Sequence, residues 1–172
     1  WERMSGADEI GYCPLAFGYS NYARRGYRPS LVTFTNIPAA GPSGPAGATL
    51  GGAGLAVSRR TRSVEIAVAY ALWAASEECQ RTIYVQSGGQ PAHRQAWTSP
   101  DVNSLTNNFF KDTLPTIEKS FLRPRGAGFI DFQTRSAALI AAFLRGEHTA
   151  AQTLDLMDEC YAEWNRKRRM PA

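Results

Sequence analysis

Three cysteines, two histidines and the lack of any eighteen-residue apolar run narrow what this 172-residue chain can be. Cys13, Cys79 and Cys160 are odd in number and widely spaced. That excludes a full disulfide framework and any CxxC metal or redox pair, and it leaves the redox compartment undecided. His93 and His148 stand away from plausible metal partners, and HExxH, Cys/His clusters and a phosphate-cradling P-loop are all missing. No metal and no cofactor are therefore expected. A GxSxG elbow is absent too, and the carboxylate pairs Glu77–Glu78 and Asp158–Glu159 occupy adjacent helical positions, which point apart. No catalytic residue stands out, and the chain reads as a non-enzyme. Without a long apolar run there is no transmembrane helix. A basic–apolar leader is also lacking, and the opening WERMSGADEIGYCPLAFGY reads like the middle of a protein, so a leader or more is expected upstream.

What is present is a globular composition: 44% hydrophobic, 11% aromatic and 20% charged, which rules out disorder across the whole chain. The net charge of +4 comes mainly from Arg24–Arg25, from Arg59, Arg60 and Arg62, and from the run Arg166–Arg169. The terminal run follows a helical pattern, where cations complement the helix dipole, and it reads as a solvated tail. Cys160 falls within an apolar helical pattern and reads as a small buried hydrophobe.

The first fifty residues are rich in loops, with strand-like runs at residues 10–19 and at Leu31–Ile37 (LVTFTNI), the latter β-branched and alternating. PAAGPSGPAG, at residues 38–47, is a Pro/Gly loop. Gly54–Ser58 reads as a short buried strand. A helix is predicted over Arg62–Ala75, with Val64, Val68 and Leu72 on one apolar stripe and Ile66, Tyr70 and Trp73 on another, so it should be covered on both sides. Ser76 is placed as the cap of a short helix with Glu77 and Glu78 in its first turn. Further helices are predicted from Ser99–Pro100–Asp101, over Asp112–Phe121, and over Gly128–Leu144 with Phe132, Leu139, Ile140 and Phe143 on one face. Gly146 caps the last of these. Thr149 and Gln152 then form a capping box for a final helix with the stripe Leu154, Met157, Tyr161 and Trp164.

Two glycine-rich junctions, LGGAGLAVS (residues 50–58) and SGGQPAHR (residues 87–94), bracket the long helix. Such glycines serve tight turns and close packing, or they leave backbone bare for a ligand. Polar and aromatic residues gather nearby, namely Phe17, Tyr19, Asn21 and Tyr22 in one segment and Gln90, His93, Arg94 and Trp97 in another. Flat rings beside amide and guanidinium donors suit polyhydroxylated ligands, although aromatics also pack between elements.

The ordered set GYSNY, a strand, a Pro/Gly loop, GGAGLAVS, EIAVAYALWAASEECQ, GGQPAHR, FLRPRGAGFIDFQ and a last helix ending in EWN resembles the C-terminal portion of the family 1 extracellular solute-binding proteins. These are the sugar-type receptors of bacterial ABC importers. The resemblance spans nearly all of this chain and less than half of a full-length member. It implies two α/β lobes with the ligand in an inter-lobe cleft, a carbohydrate or similar polar solute as ligand, a membrane ABC permease as partner, and a periplasmic or extracellular location. It carries Gly51, Gly52 and Gly54 over as ligand-proximal backbone, and Tyr19, Asn21 and Arg94 as cleft residues. His93 interrupts the spacing usual before that arginine, and Ala53 stands where many members have an aromatic between the glycines.

The expected fold is thus helix-rich α/β, a fragment like a type II periplasmic binding protein with few strands and five or six helices. Residues 1–47 would hold second-lobe strands and a connecting loop, residues 48–122 the return to the first lobe, and residues 123–172 the C-terminal helices. Such a piece would complete neither sheet, so it should self-associate through exposed sheet edges or need its missing half. A basic nucleic-acid-binding module using the arginine clusters is the rival from another class, and a structural interaction domain or ligand-free remnant is a third.

Overall fold

The computed structural model describes residues 1–6, 9–39 and 41–169. The chain divides into two compact units, Trp1–Leu122 and Arg123–Ala172. The first holds α1 (Glu2–Gly6), a 3-10 turn (Ser20–Ala23), α2 (Val64–Ala74), α3 (Glu77–Arg81), α4 (Ile83–Gln86), α5 (Arg94–Thr98), α6 (Pro100–Leu105) and α7 (Phe109–Glu118). The second holds α8 (Phe129–Leu144) and α9 (Ala150–Arg169).

The expectation of an α/β fold is overturned: the described residues are 52% helical and contain no strand or sheet, which is not the fold of a type II binding protein. The one β-type pairing among them is an isolated parallel bridge between Thr49 and Phe121. A strand needs a ladder partner as well as an alternating sequence, and Leu31–Ile37 shows the difference. Its backbone runs without helix or turn, and its side chains alternate, with Val32 (6% exposed) and Phe34 (8%) buried and Leu31, Thr33 and Thr35 outside. This is the period of a half-buried strand. Its backbone engagements are single: Val32 N–H donates to Tyr22 O (3.0 Å), and Ile37 N–H to Thr116 Oγ1 (3.2 Å). Gly54–Ser58, predicted as a buried strand, is exposed at every residue, as are Tyr12, Leu15 and Phe17 in the first strand-like run.

The core of the first unit is aromatic. Trp1, Phe34, Phe109, Phe110 and Trp97 follow one another with ring centroids 4.9, 4.8, 5.0 and 5.0 Å apart. Val32, Val85, Val102 and Ala23 fill in around them. Both indole N–H groups find carbonyls, Trp1 on Phe17 O (3.0 Å) and Trp97 on Pro91 O (2.7 Å), so the buried Trp97 and the half-buried Trp1 strand no donor. Asn103 ties three helices at this core. Its Nδ2 donates to Trp97 O and Ser99 O, and its Oδ1 accepts from Lys111 N–H. Pro115 lies inside α7 and has no amide to donate; the next amide, of Thr116, donates to Asn36 Oδ1 (3.0 Å). That contact clasps the extended run onto α7.

Local start and stop signals do hold. Ser76 Oγ accepts from Cys79 N–H, and Ser99–Pro100 opens α6. α7 starts at Phe109, earlier than the predicted Asp112, because Asn108 in the left-handed region sets its first turn. α2 is the main departure: both bulky stripes are exposed, and only Ala67, Ala71 and Ala74 are even half-buried.

In the second unit α8 packs on α9 through Phe129, Phe132, Tyr161 and Trp164, with Trp164 Nε1 donating to Ala127 O (3.0 Å). Gly146 (φ 80°) ends α8: its N–H reaches Phe143 O and that of Glu147 reaches Ala142 O, a left-handed glycine cap. The Thr149–Gln152 box is formed in both directions, at 2.9 and 3.2 Å. Cys160 and Trp164 are buried; Leu154 and Tyr161 of the predicted stripe are exposed, as are Ile140 and Phe143 on α8. The basic run lies on the last turns of α9 and does not follow the helix as a tail. Within it, Lys167 pairs with Glu163 (2.7 Å) and Arg168 lies over the Trp164 ring.

Two tests follow from this packing. Phe110 is fully buried among aromatic rings, so Phe110→Ala should cost about 3–5 kcal/mol in urea unfolding of the full chain; a loss below about 1 kcal/mol would remove it from the core. In α9 the Glu163 carboxylate is held down to about 2, first by its hydrogen bond from Arg135 and then by Lys167. A depressed carboxylate stabilises the fold above its unfolded pKa and loses that contribution as pH falls through its folded value. Helical signal from the α8–α9 pair should therefore become less resistant to heat as pH drops from about 4.5 towards 2. Glu163→Gln should flatten that dependence, and an unchanged slope in the variant would refute the assignment.

Candidate functional site

The residues nominated by the sequence are partly brought together. Residues 17–19 run extended, with Gly18 against the core: a Cβ there would meet the Phe109 ring at 3.0 Å. Phe17 and Tyr19, on either side of it, are exposed. The chain then tightens into the 3-10 turn, with Ser20 and Ala23 buried and Asn21 half-buried.

The SGGQ junction meets this turn. Gly88 (φ 87°) and Gly89 end α4, their amides donating to Val85 O (3.1 Å) and Tyr84 O (2.8 Å). This is the cap seen again at Gly146, and at Gly89 a side chain is excluded, because a Cβ would lie 2.6 Å from Tyr84 O. The glycine pair thus terminates a helix and aims the next residue. Gln90 accepts from Ser20 N–H through Oε1 (3.0 Å) and donates from Nε2 to Gly18 O (3.4 Å). One side-chain amide fastens two segments seventy residues apart. Beside it, Asn21 Oδ1 is buried with no hydrogen-bond partner among the described residues, and a Cβ on Gly88 would sit 3.4 Å from it. Arg24, at the far end of the turn, donates to Val85 O (2.5 Å), and its burial lowers the guanidinium pKa.

The other nominees divide. A Cβ on Gly51 would lie 3.1 Å from the Phe17 ring, so this glycine lets an exposed aromatic lie close to backbone. Gly52 and Gly54 face open space, and no close approach requires either. Arg94 opens α5 and pairs with Glu118 of α7 at 2.5 Å, so it is engaged within the fold. His93 caps α5 through Nδ1, Trp97 is in the core, and Tyr22 donates to Glu2 Oε1 (2.6 Å), the contact that chiefly raises its phenol pKa.

Sequence reasoning passed over a groove of about 380 Å³ lined by Ala23, Arg25, Asn103, Ser104, Leu105, Asn107 and Asn108. Its signal was the Asn107–Asn108 pair between two helices, since asparagine tolerates the left-handed region where both residues lie (φ 47° and 60°). Among the described residues no group of three His, Cys, Asp or Glu side chains converges as a metal site. All three cysteines are free, Cys13 exposed and the other two buried. What the arrangement leaves open to solvent is the pair of rings, Phe17 and Tyr19; the Gln90 amide is engaged at both ends and the Arg24 guanidinium is turned to Val85 O. No family model, curated protein or solved structure matches this chain.

Removal of the fastening amide should be measurable. Gln90→Ala is expected to cost about 1–2 kcal/mol and to speed hydrogen exchange at the Ser20 amide selectively. Equal protection of Ser20 in the variant and the parent would show that the Gln90 contact is not formed in solution.

Proposed function

We propose that this chain binds a carbohydrate or similar polar solute through the surface that the Gln90 junction assembles. The reading rests chiefly on one observation: the Gln90 amide anchors the segment on which Phe17 and Tyr19 stand exposed. Asn21, further along that segment, has a buried Oδ1 left without a partner among the described residues. Exposed rings on an anchored backbone stack on the CH faces of a sugar, and amide groups take its directional hydroxyls. Gly51, carrying the Phe17 ring, belongs to the same surface. Capture of such a solute for a membrane ABC permease, in a periplasmic or extracellular compartment, is the role that the sequence resemblance adds. The proposal keeps the solute and the residues Tyr19, Asn21 and Gly51; it does not retain the α/β fold.

The rival nucleic-acid reading loses some of its cations to contacts within the fold, while Arg25, Arg59, Arg60 and Arg166 stay exposed. Arg24 is turned to a backbone carbonyl, and Lys167 and Arg168 are engaged with Glu163 and Trp164 on α9. A nucleic-acid surface needs several free cations on one face.

Titration of the full chain with a panel of neutral mono- and disaccharides is the direct test. At least one sugar should raise the melting temperature, and Tyr19→Ala should weaken its binding about tenfold, the loss of one stacking contact. If no sugar shifts the melting curve, or if Tyr19→Ala and Asn21→Ala leave affinity untouched, the proposal fails.

A further inference from the structure

The groove between the end of the 3-10 turn and the α6–α7 junction, at about 380 Å³, has the size of a small-molecule cleft. Part of its lining is fixed. Ala23 is buried (1% exposed), and Asn103 is buried with both ends of its side-chain amide engaged, at Trp97 O and Ser99 O and at the Lys111 amide. The Asn103 carbonyl also accepts from Asn108 N–H (2.9 Å), which holds the two left-handed asparagines in place.

The rest of the lining is uncommitted. Arg24 and Arg28 are engaged, at Val85 O and at Glu2, whereas Arg25 is exposed and makes no ion pair among the described residues. Asn108 precedes α7 without a side-chain capping bond, and the Asn107 side chain likewise makes no hydrogen bond among the described residues. Consecutive non-glycine residues at positive φ (47° and 60°) store conformational energy, a cost that clusters at ligand-holding turns. Here it places two free amides on a groove wall.

No carboxylate lines the groove, so Arg25 gives it a single positive charge. Leu105, 45% exposed, adds an apolar wall. A guanidinium holds both oxygens of a carboxylate through parallel N–H donors, and side-chain amides add further donors. A phosphate dianion is matched less well by one cation. The α7 amides that would help it are taken, Phe109 N–H by Thr106 O and Lys111 N–H by Asn103 Oδ1, both at 2.9 Å.

We infer that this groove binds a small organic monocarboxylate, with Arg25 on the carboxylate, the Asn107 and Asn108 amides beside it and Leu105 against the apolar part. The inference is independent of sugar binding, since none of these residues belongs to the surface of Phe17, Tyr19, Asn21 and Gly51.

Sodium butyrate titrated into the full chain at constant ionic strength, followed by amide NMR, tests it. Saturable shifts are expected at the side-chain amide signals of Asn107 and Asn108. Arg25→Ala should weaken binding about tenfold or more, the loss of a charged hydrogen-bonding pair. Asn108→Gly separates binding from folding: glycine suits φ 60°, so the melting temperature should hold while butyrate binding weakens. Tyr19→Ala should leave butyrate affinity unchanged, which keeps this result apart from the sugar test. The absence of a saturable shift overturns the inference, as does unchanged affinity in Arg25→Ala or in Asn108→Gly. So does a loss of butyrate binding with Tyr19→Ala, and so does inorganic phosphate that binds the groove more tightly than butyrate.

Discussion

The first unit hangs on the contact of Phe34 with Phe109. Phe34 arrives on an extended run with no ladder to hold it, and Phe109 opens a helix whose start is set by a left-handed asparagine. Between them these rings join Trp1 at one end of the core to Phe110 and Trp97 at the other. Short helices of four to six residues, such as α3 to α6, are too brief to stand on their own hydrogen bonds. α4, α5 and α6 each place a buried residue in the aromatic cluster, Val85, Trp97 and Val102, while α3 buries Cys79 and Gln80.

What the sequence made legible was local chemistry. Ser76, the Thr149–Gln152 box and Gly146 work through atoms within a few residues of one another, and all three do in the fold what their chemistry predicts. The alternation of Leu31–Ile37 was also legible, but as burial alone. Whether an alternating run becomes a strand depends on a second segment that no local pattern names. The same holds for α2. Its two stripes say that covering is needed, not that this chain supplies the cover, and only alanines of the helix are half-buried.

The glycines divide along the same line. At Gly88 and Gly89 the requirement is steric and local, a helix cap with no room for a Cβ at the second position. Gly52 and Gly54 show no such requirement, and Arg94 is drawn to Glu118. Of the nominated site residues, those that converge do so through Gln90, whose hydrogen bonds reach back seventy residues. The rings and amides could be picked out from composition. The fastening between them could not, because it depends on a turn geometry that emerges only once α4 has ended.

Proline in the middle of α7 carries a consequence for how the molecule comes apart. The clasp at Thr116 reaches back about eighty residues to Asn36 and Ile37 through three hydrogen bonds, and with the Phe34–Phe109 ring contact it holds the extended run to the helix at two places. Neither has a ladder or a longer helix to fall back on. Opening at Pro115 frees the Asn36–Ile37 end of the run and leaves the Thr116 amide bare, so the strain passes to the Phe34–Phe109 contact. A protease approaching residues 31–37 would therefore find its cut gated by a helix far along the chain, and the two regions should yield together as one cooperative unit.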